Sequence, residues 1–228
     1  VCISHTASLA QSAVETMETA LQTGELSMER VNEAVERVRG LRVKYGAENF
    51  TDLTPEEQRE DFRETERISL RSITPVRLHG GMPVLGPDTL YAGSYATRST
   101  LASSSVDESL SFPRFLAKEL GGTPLVTPID PKPEDIEQAL KVSAQCRTAV
   151  VGLYNGQFNK GQLALVNALC GAGLRVVAVS LRNPYDLSMV DERSDAFAAY
   201  EYTELAFRSL VRLFREGKRP EGRLSVTL

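Results

Sequence analysis

The sequence predicts an α/β chain: a three-layer αβα sandwich around a mainly parallel sheet, preceded by a helical segment. Three observations predict it. Four short β-rich runs, "DTLYAG", "TPLVTPI", "TAVVGLY" and "RVVAVSL", start roughly 25 to 35 residues apart, the spacing of repeated βα units. Helical patterns follow the last three, near 134–145, 159–172 and 197–216. Ala149-Val150-Val151 and Val176-Val177-Ala178-Val179 are almost continuously apolar, so these strands need helices over both faces of their sheet.

Ahead of the sandwich, the first residues, Val1-Cys2-Ile3-Ser4, read as the interior of a strand, and a chain opening in this way is expected to begin partway through a longer protein. Two amphipathic helices follow. Ala10, Ala13, Val14, Met17, Ala20 and Leu21 recur at helical spacing before Gly24, and Val31, Ala34, Val35, Val38 and Leu41 form a second stripe between a capping Ser27 and Gly46. Thr54-Pro55-Glu56-Glu57 combines a capping box with proline at the first helical position. The charged helix it starts, "EEQREDFRETER", reads as a solvated face between domains. "STLASSS", residues 99–105, reads as an irregular surface loop.

Composition sets the outer limits on function. The chain has 228 residues, 42% hydrophobic and 25% charged, with a net charge of −4, which is ample for a buried core. With no Lys/Arg cluster, neither a nucleic acid nor an anionic membrane is expected as partner. No apolar run approaches the 18 or so residues of a membrane span. Cys2, Cys146 and Cys170 are scattered and are expected to act as small buried hydrophobes rather than as a disulfide or metal framework.

Motifs for free-standing chemistry are thin. His5 and His79 are the only histidines, and neither has a second ligand at zinc spacing, so no metal is expected. GxGxxG and the Walker A pattern are absent, and "NGQFNKGQ" is too loose to cradle phosphates, so no cofactor is expected either. There is no nucleophile elbow and no carboxylate pair in a glycosidase-like context. What the sequence does offer is polar strand ends. In an open parallel sheet the carboxyl ends of the strands face a crevice where ligands or other domains sit. "LYNG" at 153–156 and "LRNPYD" at 181–186 should therefore bring Tyr154, Asn155, Arg182, Asn183, Tyr185 and Asp186 to one rim. Pro184 stiffens its loop and holds Asn183 extended. Two roles are open for it: a turn in which Asp186 caps a short helix, or a docking or ligand-contacting edge.

The order of several segments also carries a resemblance. "VCISHT", "ALQTGELSMERVNEAVERVRGLRVKYG", "ERISLRSITPVRLHGGMPVL", "VVAVSLRNPYDL" and "AYEYTELAFRSLVRLFREGKRPEGRLSVTL" together resemble the carboxyl-terminal half of two-domain bacterial glycoside hydrolase family 3 enzymes of the β-N-acetylglucosaminidase type. Arg71-Ser72-Ile73-Thr74-Pro75-Val76-Arg77 up to Met82-Pro83-Val84 matches a pattern that follows the barrel in that family. Gly222-Arg223-Leu224-Ser225-Val226-Thr227-Leu228 matches its ending, with Ser225 where proline is usual.

The resemblance implies that the helices before the sandwich are left over from the end of a (β/α)8 barrel. Residues 1–46 would be the last βα unit, with Val1–His5 as the eighth strand. Residues 47–73 would be a helical linker, and 74–228 the sandwich domain. It implies a parent that removes terminal N-acetylglucosamine from cell-wall or chitin-type saccharides by a retaining mechanism, with nucleophile and acid-base groups in barrel loops before residue 1. No residue of this chain is then catalytic, and the fragment alone is expected to be inactive. His5, Arg182, Asn183, Tyr185 and Asp186 are the expected substrate-rim or interdomain residues. The barrel and a carbohydrate are the expected partners, with a dimer through residues 7–45 as a way to cover the orphaned helices. The compartment is left open between cytoplasm and cell wall or exterior. The alternative is an independent, non-enzymatic flavodoxin-like module binding a small ligand or sugar.

Overall fold

A computed structural model describes residues 7–46, 52–99 and 104–228, and within the strands flanking 100–103 it leaves the side chains of 98–105 undescribed. Two compact units divide the chain, Val1–Pro55 and Glu56–Leu228. The expected strand at Val1–Ser4, together with Cys2 and His5, lies outside the described residues.

The first unit holds α1 (Ala7–Thr23) and α2 (Met28–Tyr45). Ser27 caps α2 as its spacing predicts, its side chain accepting from the Arg30 amide. Neither helix contains a single buried residue. Their apolar stripes instead border an open groove of about 750 Å³, floored by Met17, Leu26, Val31, Val35 and Val38 and edged by Arg30, Arg39 and Arg42.

The second unit begins with α3 (Pro55–Ser72), whose stretch from 56 to 65 is exposed. At its far end α3 joins the sandwich: Leu70 packs into the core, and the Ser69 hydroxyl receives a hydrogen bond from Ser209 at 3.0 Å. Next come β1 (Thr74–Arg77), β2 (Thr89–Gly93), β3 (Ala96–Ser99), β4 (Ser104–Asp107), α4 (Phe112–Leu120), β5 (Thr123–Val126), α5 (Pro133–Val142), β6 (Thr148–Leu153), α6 (Lys160–Gly171), β7 (Arg175–Ser180), β8 (Asp195–Ala198) and α7 (Glu204–Glu216).

The main sheet has six strands in the order β1-β8-β7-β6-β2-β5. All neighbours are parallel except the edge strand β1, which runs antiparallel to β8. Two apolar clusters show the three layers. Tyr91, Val150, Val177, Val179 and Phe197 point to the side of α4 and α7, while Leu90, Ala149, Val151, Val176 and Ala178 point to α5 and α6. Alternation along each strand, with both faces apolar, is what a doubly covered parallel sheet requires. The predicted α/β sandwich is therefore the observed fold.

Three expectations need correction. The helical pattern assigned to 197–216 conceals β8, and α7 starts only at Glu204. "DAFA" is only four residues long, buried throughout, with three apolar residues after Asp195, and at that length periodicity cannot separate strand from helix. Residues 99 and 104–105 of the expected surface loop belong to the two-stranded β3–β4 ladder, while 100–103 lie outside the described residues. β1 and α4 went unassigned: β1 is a short edge strand interrupted by Pro75, and α4 hides Pro113 within its first turn, where the missing amide costs nothing. Of the cysteines, Cys170 is buried as expected and Cys146 only partly so.

β2 and β6 meet closely where Gly93 pairs with Gly152. A β-carbon on Gly152 would lie 2.6 Å from Phe112 Cδ1 and 2.9 Å from Leu181 Cδ1. Gly152→Ala should therefore destabilise the sandwich by about 2 kcal/mol through overpacking. Gly171→Ala, where a β-carbon meets nothing within 4 Å, should be neutral or slightly stabilising. Urea denaturation of the two variants checks this.

Candidate functional site

The carboxyl ends of β6, β7 and β8 are braced by polar contacts from neighbouring segments. At the end of β6, the wholly buried Gln162 of α6 works in both directions. Its Oε1 accepts from the Tyr154 amide at 2.8 Å, and its Nε2 donates to the Tyr154 carbonyl at 3.1 Å and the Ile129 carbonyl at 2.6 Å. Asn155 is left-handed at φ 55°, and its carbonyl accepts from the amides of Phe158 and Asn159. The amide of Gly161, in the first turn of α6, is already taken by Asp130 at 2.8 Å.

The backbone of the loop after β7 is the one its proline predicts. Asn183 is extended (φ −95°, ψ 126°) and precedes a 3-10 turn over Pro184–Ser188. Its side chain donates to Asn155 Oδ1 at 3.1 Å, tying the two loops together. Asp186 is fully buried, with Oδ1 accepting from the Gln157 amide at 2.8 Å. Its Oδ2 has no well-formed hydrogen bond among the described residues. Burial consequently holds the carboxyl pKa above the ordinary range, despite the neighbouring Gly156 and Gln157 amides. Tyr185 stays at the surface, 43% exposed.

Arg182 leaves this loop in the opposite direction to Asp186. It donates to the Tyr154 hydroxyl at 2.9 Å and lies 5.4 Å from the centre of that ring. The pair forms one wall of a cavity of about 210 Å³, completed by Ala96, Asp107, Leu110 and Leu181 and by Tyr200, Glu201 and Tyr202 beyond β8. Tyr200 is left-handed at φ 64°, a costly conformation for a bulky residue, and its hydroxyl is anchored on Thr74 at 2.9 Å. Tyr202 reaches underneath: its hydroxyl accepts from the Phe112 amide and donates to the Ser94 carbonyl, each at 2.9 Å. Burial pushes this phenol from its usual 10 up to about 12.

Of the residues predicted for the rim, then, Arg182 lines the cavity and Asn183 braces it. Asp186 lies beneath the loop, Tyr185 is at the surface outside the cavity lining, and His5 is outside the described residues. Tyr200, Glu201, Tyr202 and Asp107 were missed. With 197–216 read as helix, the exit of β8 was never seen as a strand end, although "AYEYTE" shows the same polar-aromatic turnover as "LYNG". Among the described residues no group of three His, Cys, Asp or Glu side chains could hold a metal. No described helix is long and apolar enough to cross a membrane. The lining of the cavity thus sets the Arg182 guanidinium and the carboxylates of Asp107 and Glu201 between apolar and aromatic walls, with Asp107 Oδ1 already accepting from the amide and hydroxyl of Ser109.

No protein-family model and no curated protein matches the chain. Solved structures do. A glycoside hydrolase family 3 β-N-acetylglucosaminidase from a Paenibacillus species superposes with a TM-score of 0.73 at 24% identity, over 97% of this chain and 44% of that one. A fungal multi-domain family 3 β-N-acetylglucosaminidase gives 0.71 at 18% identity, over 99% and 26%. A β-glucosidase from Listeria innocua in complex with isofagomine gives 0.58 at 14%, over 89% and 33%. At these identities the likeness is one of fold, and the chain spans less than half the length of each of these structures.

The geometry makes two predictions about stability. Asp186→Ala leaves the Gln157 and Gly156 amides without their acceptor and should cost about 2 kcal/mol in chemical denaturation, as a structural turn does and an exposed rim residue does not. Tyr202→Phe strands the Phe112 amide and the Ser94 carbonyl and should cost about 1 to 2 kcal/mol. Because the folded phenol titrates above its unfolded value, its contribution is complete below pH 10 and fades as the pH rises toward 12. The alkaline loss of stability should therefore be smaller in Tyr202→Phe, and part of what remains comes from Tyr91, also pushed up to about 12 by burial, and from the Cys146 and Cys170 thiols, which burial likewise raises.

Proposed function

We propose that this chain is the carboxyl-terminal, accessory part of a family 3 type glycoside hydrolase that removes terminal N-acetylglucosamine from cell-wall or chitin-type saccharides. One observation carries the reading: the fold match with a β-N-acetylglucosaminidase takes in 97% of this chain and only 44% of the other. The segments "ERISLRSITPVRLHGG" and "EGRLSVTL" support it, as does the first unit. Two helices without a buried residue need cover, and neighbouring elements of a (β/α)8 barrel supply it. Residues 1–46 then belong to the barrel's last βα unit, His5 included. Residues 47–73 form the connection and 74–228 the sandwich.

A retaining glycosidase needs a nucleophile and an acid-base group on either side of the scissile bond, and on this reading both come from the barrel. The sandwich contributes a rigid edge at its strand ends, where the braced Arg182-Asn183 loop meets the barrel or the substrate cleft. A second reading, an independent ligand-binding module, is favoured by strand order. The five parallel strands run in the flavodoxin-like sequence, with a ligand crevice expected where the order reverses between β2 and β6.

The full-length parent should hydrolyse an aryl N-acetylglucosaminide, and the 228-residue chain alone should not. Turnover by the chain that a point substitution within it abolishes would overturn the accessory role. Alone, the chain should also dimerise through residues 7–45, and light scattering should find a monomer once 1–46 are deleted.

A further inference from the structure

We infer that the segment following α7 is a strap that locks the junction between α3 and β1 and, through Thr74, the backbone turn at Tyr200, so that the entry to the sandwich and the turn after β8 move as one. The course of the segment carries the first part of the argument. α7 packs on the cluster that holds Ile73 and Phe197, whereas Leu224, shortly beyond it in the chain, joins Val76 and Tyr200 on the cluster of the opposite face. Between the two, Pro220 is buried and the Gly222 amide donates to the Ile73 carbonyl at 3.2 Å. The segment therefore crosses the sheet at the start of its edge strand, β1.

The crossing is tight. A β-carbon on Gly222 would lie 2.4 Å from the Ile73 carbonyl oxygen, 2.6 Å from Thr74 Oγ1 and 2.7 Å from the Ser72 carbonyl oxygen. Two of these atoms are backbone at the α3–β1 corner and cannot swing away. The third is a branch point, for Thr74 Oγ1 donates to the Ser72 carbonyl and accepts from the Tyr200 hydroxyl, each at 2.9 Å. Ser72 in turn donates to the Ser69 carbonyl, and the Ser69 hydroxyl is tied to Ser209 of α7. One chain of contacts thus runs from the end of α3, past Gly222 and Thr74, to Tyr200. Tyr200 is the element that can switch. Apart from glycine, it and Asn155 alone among the described residues adopt a left-handed φ, and such a conformation persists where its surroundings impose it. Releasing the strap frees Thr74, takes away the anchor of the Tyr200 hydroxyl and lets the turn relax to an ordinary φ, carrying Glu201 and Tyr202 with it.

The test compares amide hydrogen exchange in the 228-residue chain and its variants. The Ala199 and Tyr200 amides, both held by the Ser180 carbonyl, report the turn, and the Val150 and Val177 amides of the central strands report the sandwich as a whole. Gly222→Ala should speed exchange at Ala199 and Tyr200 about tenfold or more, with Val150 and Val177 changed by less than about threefold. Arg223→Ala, at an exposed neighbour, should change none of them. Leu224→Ala loosens the same strap without a clash and should give the same pattern more weakly, so a Gly222 variant that fails to fold leaves the test intact. Combining either strap variant with Tyr200→Phe should add nothing at Ala199 beyond the larger single effect, since both act through Thr74. Uniform acceleration at all four amides, exchange at Ala199 and Tyr200 that ignores the strap, or additive effects in the double variant overturn the coupling. In the parent proposed above, α3 leads into the sandwich and this route carries its position to the turn after β8; that use alone rests on the glycosidase reading. A parent without glycosidase activity removes the use and leaves the exchange pattern, whereas an active parent with uncoupled amides does the reverse.

Discussion

The strand-end architecture depends on how closely β2 and β6 approach at Gly93 and Gly152. With no side chain on Gly152, the ring of Phe112 can settle against the sheet, which fixes where α4 begins. The Phe112 amide is then presented to the Tyr202 hydroxyl, which also holds the Ser94 carbonyl at the exit of β2. Phe112, Phe207 and Tyr202 pack edge to face around this point, with Tyr154 against Tyr202. The cavity floor is thus a consequence of a backbone contact one layer below it.

A second set of constraints is polar. Gln162, Asp186 and Asp130 each use a buried or half-buried side chain to satisfy amides in a loop or in the first turn of α6 that no ladder or helical bond reaches. Loops at the ends of parallel strands carry many such amides, and leaving them unpaired in a buried setting is costly. Satisfying them from α6 and from the 3-10 turn ties the loops of β6 and β7 into one body. Arg182 projects from that body, so its position is inherited from the groups that brace the loop beneath it.

The two units differ in how their helices are used. Those of the sandwich bury a face against the sheet, as α7 does with Phe207, Leu210, Val211 and Phe214, and so draw on apolar burial. α1 and α2 carry weaker apolar stripes and bury no residue completely. Amphipathic periodicity records that a helix has a partner face without recording which surface fills it.

By itself the sequence determined the fold class, because apolar runs at βα spacing and the caps and breakers around helices act locally and are written in consecutive residues. It also identified the rigid loop at Arg182-Asn183-Pro184, since proline geometry is local. The direction of each side chain from that loop was decided only in three dimensions. Asp186 turned inward because the Gly156 and Gln157 amides, some 30 residues earlier in the chain, needed an acceptor. Tyr200, Glu201 and Tyr202 became a cavity wall because a four-residue strand, too short to betray its type by periodicity, was drawn into register between β7 and β1. Pairing across the sheet is a property of distant segments meeting, and no window of sequence contains it.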